Sequence, residues 1–82
     1  MYNLRMEPIE VEATLGKDDE LLPRRFVWRG SQLQVSDLGR RWNDEQGEHI
    51  LVMVEPGKRV YELLHTDEQW QMVRSFTPKR SV

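Results

Sequence analysis

Phe26 and Trp28, then Leu33 and Val35, recur at every second position on either side of Arg29-Gly30-Ser31. A period of two marks strands with one buried face, and a glycine in the link takes positive φ without strain. Residues 24–42 therefore predict a β-hairpin whose apolar side chains share a face and nucleate the core. Upstream, Ile9, Val11, Ala13 and Leu15 alternate with Glu10, Glu12 and Thr14, predicting one half-buried strand with an acidic outer face. The polar run Gly16 to Glu20 breaks that strand, and Pro23 biases Leu22 toward extended geometry.

Downstream of the hairpin, Ser36-Asp37 begins either a turn or a capped short helix through Leu38 to Trp42, with a continued bent strand as the alternative. Asn43 to Glu48 reads as a polar loop. His49 to Val54 is apolar on both faces, as a strand near the centre of a sheet requires. Glu55-Pro56-Gly57-Lys58 predicts a type II turn, and Arg59 to Leu64 returns antiparallel. After a turn over His65 to Glu68, the last strand runs from Gln69 to Phe76; Trp70, Met72 and Phe76 fall on one face there and Arg74 is a misfit.

These elements predict an all-β fold: a small, strongly curled antiparallel meander sheet or open barrel of five to six strands with at most one short helix. Phe26, Trp28, Val35, Val52, Leu63 and Met72 are the expected buried residues. The 82 residues predict a single domain with an ordered core over about 8–76, residues 1–7 and 77–82 being frayed.

Composition narrows the class without choosing a function. There is no cysteine, so no disulfide framework and no thiolate metal site, and a reducing cytoplasm is the expected setting. No apolar run is long enough for a signal peptide or a membrane span. The net charge of −2 conceals alternating blocks: residues 1–22 carry −4, 23–42 carry +4, 43–68 carry −5 and 69–82 carry +3. Cross-strand pairing of opposite charges accounts for part of this pattern.

Little in the chain resembles catalytic or metal chemistry. His49 and His65 stand at opposite ends of adjacent expected strands, and neither belongs to a metal-binding spacing, so no metal and no cofactor are expected. Ser31 is explained by its turn and Ser36-Asp37 by capping; no nucleophile elbow or phosphate-cradling loop accompanies them. The expectation is a protein that is not an enzyme. What remains is an arginine–aromatic pattern, Arg24, Arg25, Arg29, Arg40 and Arg41 around Trp28 and Trp42. Arginine forks bind carboxylate and phosphate and stack on rings, so Arg24, Arg25, Arg29, Arg40, Arg41 and Trp42 form the candidate binding surface.

Phe26-x-Trp28-x-Gly30, Leu33-x-Val35, Leu38 and Trp42, then Tyr61-Glu62-Leu63 and Trp70, carry a resemblance. The chain resembles a family of small bacterial domains of uncharacterised function with the pattern F-x-W-x-G, a short hairpin, a tryptophan, Y-x-L and a final tryptophan strand. Its later half is also similar to the C-terminal tail of the polymerase-like subunit of mutagenic translesion-synthesis systems. The match spans about residues 24–76, with departures at Leu33 and at Ile50 to Val54, where that family has aromatic residues. The resemblance implies an accessory module connected with DNA damage tolerance and brings no catalytic residues. Three functions follow as expectations: a non-catalytic module for a protein partner, a module for single-stranded nucleic acid, and a small-molecule binder or enzyme.

Overall fold

Seven strands account for all the regular structure in the computed structural model, which describes residues 6–78: β1 (Glu7–Ile9), β2 (Val11–Leu15), β3 (Leu21–Trp28), β4 (Ser31–Asp44), β5 (Gly47–Val54), β6 (Arg59–Thr66) and β7 (Gln69–Phe76). They form one sheet in the order β1-β7-β6-β5-β4-β3-β2, and every pairing is antiparallel. β1 and β2 sit at opposite ends of that order, yet only Glu10 separates them. Consecutive Cα atoms are about 3.8 Å apart, so the sheet must curl until its two edges come within a few residues of each other. The Val27 amide donates to the Glu10 carbonyl at 3.0 Å where they meet. The expected curled, all-β architecture is present, with one strand more because Ile9–Leu15 divides at Glu10 between β7 and β3.

The inner face holds the core. Phe26, Ile50, Val52, Val54, Tyr61, Leu63 and Met72 are buried together, and Ile9, Val11, Trp28, Leu33, Val35, Leu38 and Trp70 pack against them. Of the six residues expected to be buried, Phe26, Val52, Leu63 and Met72 are, whereas Trp28 and Val35 are half-buried. Trp28 lies one residue from the hairpin tip, where the wall of the curl ends, and the Arg29 guanidinium covers its ring at 4.6 Å. β5 is the fourth strand of the seven, the central position that its two apolar faces require.

No helix forms over Ser36–Trp42, where β4 continues as the bent-strand alternative. Its first residues pair with β3 and its later ones with β5, with register shifts between Val35 and Asp37 and between Leu38 and Arg41. A bulge bends a strand and keeps most of its backbone bonded. A one-turn helix would forfeit that ladder, and a helix so short gains little by itself. A third shift, between Glu62 and Leu63, explains the misfit in β7: Trp70 and Met72 face inward, and the bulge turns Arg74 outward opposite Glu62 and Phe76 outward opposite Val60.

The turns match the expected places with different detail. Arg29-Gly30 and Asp67-Glu68 are two-residue links with positive φ at both positions, and Trp28 pairs with Ser31 and Thr66 with Gln69 around them. In the Glu55–Lys58 turn φ is positive at Gly57, as the third position of the expected type II turn requires, and also at Lys58, before the Val54–Arg59 pair closes the loop. The polar loop shortens to Glu45-Gln46, between paired Asp44 and Gly47. Gly47, at φ +144°, is required there: a Cβ would come within 2.6 Å of the His65 carbonyl oxygen. Gly16 to Glu20, the polar run that breaks the upstream strand, is closed by the Gly16 amide on the Glu20 carbonyl at 2.8 Å. Glu7, expected to be frayed, pairs with Met72, and Thr77 accepts a hydrogen bond from Arg59. The remaining segments expected to fray, 1–5 and 79–82, lie outside the described residues.

Candidate functional site

Because Ile50, Val52 and Val54 point into the core, His49, Leu51 and Met53 project from the outer face of the sheet. The register extends that face across β4 to β7 in three rows. The first is Asp37–Met53–Val60–Phe76. In the second, Leu51 faces the bulge residues Gly39 and Arg40 on one side and the pair Glu62–Arg74 on the other. The third is Trp42–His49–Leu64–Gln71. Leu51, Met53, Val60 and Phe76 thus form an apolar strip where an antiparallel sheet usually presents polar side chains to water. All seven strands belong to the one sheet, so the described residues supply no second layer above it. The missing side chain of Gly39, whose Cβ would touch that of Leu51 at 3.4 Å, leaves a depression of about 150 Å³ over Leu51, Met53 and Val60.

Beside the strip lies a buried polar network. His49 is 4% and Glu62 5% exposed. His49 Nδ1 is 2.7 Å from Glu62 Oε2, and Arg74 Nε donates to Glu62 Oε1 at 2.6 Å. A carboxylate withdrawn from water needs such partners, since burying it alone is costly. The other ring nitrogen, Nε2, lies 2.9 Å from Asp44 Oδ2 but off the line of a hydrogen bond. Trp42 lies flat on the imidazole at 5.0 Å and closes it from solvent. The sequence pattern did not reveal this network. Its one signal was Glu62, a carboxylate inside the apolar run Val60 to Leu64.

The antiparallel register also corrects the placement of the histidines. His49 pairs with Leu64 and His65 with Glu48, so the two lie at the same end of the β5–β6 pair and project from opposite faces. That disposition, not distance along the strands, keeps them from sharing a metal. Among the described residues no group of three or more His, Asp or Glu converges on an ion site.

Asp44 has a well-defined electrostatic environment. The Gln46 amide donates to Oδ1 at 2.8 Å; that bond above all, with lesser contributions from His49 and the Gly47 amide, holds the carboxyl below its ordinary value against burial, the second-largest effect, which opposes it. A carboxyl whose folded pKa is depressed stabilises the fold above its unfolded value of about 3.9, and the contribution disappears as pH falls through the folded value. Asp44→Asn is therefore expected to melt less steeply with acid than the parent as pH falls below about 4. Melting temperatures across that range measure it, and parallel curves would show that Asp44 carries none of the acid sensitivity.

The arginines are not gathered on one face. Arg24 Nε bonds Thr14 Oγ1 at 3.1 Å, and Arg25 pairs with Glu12 at 2.6 Å, an exposed pair of small energetic weight. Arg41 is half-buried between Glu48, at 2.9 Å, and the Leu21 carbonyl, at 2.7 Å. Arg29 stays at the hairpin tip on Trp28. Of the six candidate residues, the structure brings Arg40 and Trp42 together, the guanidinium 5.5 Å from the ring centroid. Arg74, outside that set, repeats the arrangement 4.8 Å from Phe76. Its neighbour in the network is Glu62, and both belong to the outer face.

Comparison with known proteins adds a family and no activity. The model of a family described as a domain of unknown function, DUF6504, matches residues 1–77. No curated protein and no solved structure matches the chain. Among the described residues, no helix is long and apolar enough to cross a membrane.

Proposed function

We propose, for a chain that belongs to the DUF6504 family and takes no activity from that membership, a non-catalytic interaction module that docks a protein partner on the outer face of β4–β7. The observation that carries this reading is the strip on the outer side of a single sheet, where Leu51, Met53 and Phe76 are half-buried around a buried Val60. Interface centres combine apolar and aromatic side chains with arginine and methionine inside a polar rim, and this face has that composition. The His49–Glu62 pair does not argue for catalysis. Its imidazole is closed over by Trp42 and its Nδ1 is held by a carboxylate that Arg74 in turn holds.

Single-stranded nucleic acid is the competing reading, favoured by the arginine–ring pairs. Base stacking, however, needs a free ring face. Trp42 has His49 parallel to one face, 3° between planes, and a guanidinium over the ring as well. The resemblance to translesion-synthesis tails supports a partner from DNA damage tolerance by likeness alone.

The test places a photo-crosslinking residue at Leu51 and, as a control, at Gln32 on the distal hairpin, in the protein's native cells. The expected result is a discrete protein adduct from position 51 and none from 32. A thymidine oligomer titrated at two salt concentrations is expected to bind weakly. Tight binding that falls steeply with salt, the signature of counterion release, together with no adduct at 51, would overturn the proposal.

A further inference from the structure

The second row of the outer face ends in an arginine on each side. Arg40 is exposed and has no carboxylate within ion-pair distance among the described residues. Arg74 is 58% exposed and bonds Glu62 through Nε alone. Each guanidinium lies against a ring, Trp42 or Phe76, which restrains the fork. A restrained guanidinium loses less freedom on binding and offers its in-plane N–H groups as a bidentate carboxylate site. Between the two arginines lie Leu51 and Glu62, and the depression over Leu51, Met53 and Val60 adjoins that row at Gly39 and Leu51.

We infer that the occupant of this face is an acidic peptide segment with an apolar centre. One apolar side chain sits over Leu51 and Met53, and carboxylates on either side of it meet Arg40 and Arg74. The inference rests on reading this face as the interaction surface and names the chemistry of what binds there. The arginines belong to β4 and β7, the first and last strands of the row, so they stand roughly 14 Å apart at ~4.8 Å per strand. The two carboxylates therefore lie about nine residues apart in a helix or about four in an extended segment. Asp37, at the corner of the first row, repels a third carboxylate and so sets the segment's direction. A basic segment would face the unpaired Arg40 guanidinium and the exposed side of Arg74, which disfavours it.

Random 16-residue peptides displayed on phage, selected against the folded chain, test this directly. The expected result is enrichment of sequences with an apolar residue between two acidic ones, bound by the parent in fluorescence polarisation. Leu51→Lys is expected to abolish that binding. Arg40→Glu should weaken it about tenfold, Arg40→Gln should weaken it less, and Arg40→Glu should be rescued when the matching peptide acid becomes lysine. Circular dichroism checks that each variant is folded; Arg40 has no ion partner to lose, so its variants should melt like the parent. Enriched peptides that are neutral or basic, still sensitive to Leu51→Lys, would overturn the acidic occupant and leave the surface standing. Enriched peptides indifferent to Leu51→Lys would overturn the surface itself, and no enrichment at all would overturn a peptide occupant.

Discussion

Phe26→Ala is expected to lower the melting temperature by at least about 15 °C. Phe26 is 1% exposed, and its ring meets Tyr61 edge to face at 5.2 Å in the middle of the core. Truncating a buried phenylalanine costs about 3–5 kcal/mol through lost transfer energy and the cavity left behind. A domain of this size shifts by about 4–8 °C per kcal/mol, and its total stability is of the same order as the loss. Trp28→Ala, although it removes a larger ring, is expected to cost less than half as much. The indole is half-buried, and part of its contact is with the exposed Arg29. Thermal melts of the two variants side by side decide the order. A Trp28→Ala loss equal to that of Phe26→Ala would make Trp28 the anchor of the fold, as the hairpin pattern alone suggests.

Glu62→Ala is expected to destabilise the domain by about 2 kcal/mol, because removing one partner of a buried hydrogen bond leaves the survivor with desolvation it no longer recovers. Here the survivor is chiefly His49, 4% exposed and held under Trp42. Arg74, 58% exposed, regains water. Replacing His49 and Glu62 together by leucine should therefore cost much less than the sum of the two single changes, since no polar group is then stranded. Chemical denaturation of the four species gives the coupling. Additive losses would mean that the two side chains do not act as a unit, and a Glu62→Ala melt within a few degrees of the parent would mean that the carboxylate is solvated in solution.

Much of the fold is legible in the order of residues. The alternation Phe26, Trp28, Leu33 and Val35 specifies a hairpin and its inward face, because the side-chain period of a strand is two whatever it pairs with. The run His49 to Val54, apolar on both faces, specifies a strand central in the sheet. Gly30 specifies the turn, since its φ of +81° suits a residue without Cβ. These are local properties, decided within a few residues.

Other features depend on pairings that no local pattern contains. One bulge in β7 puts Arg74 and Phe76 on the outer face with Glu62 and Val60, and the shifts in β4 set Gly39 and Arg40 opposite Leu51. A single extra residue reverses every side chain beyond it, so an even alternation read from the sequence assigns those residues to the wrong face. The separation of Arg40 from Arg41 has the same origin: adjacent on β4, one stacks on outward-facing Trp42, and the other reaches Glu48 and the Leu21 carbonyl. His49, Glu62 and Arg74 come from three strands, and only the register of those strands joins them. The curl likewise depends on Glu10, one residue that carries the chain from β7's edge to β3's. Sequence period determines which residues are strands and which local face is apolar; tertiary pairing decides which face each outer residue finally occupies, because register is a relation between strands distant in the chain.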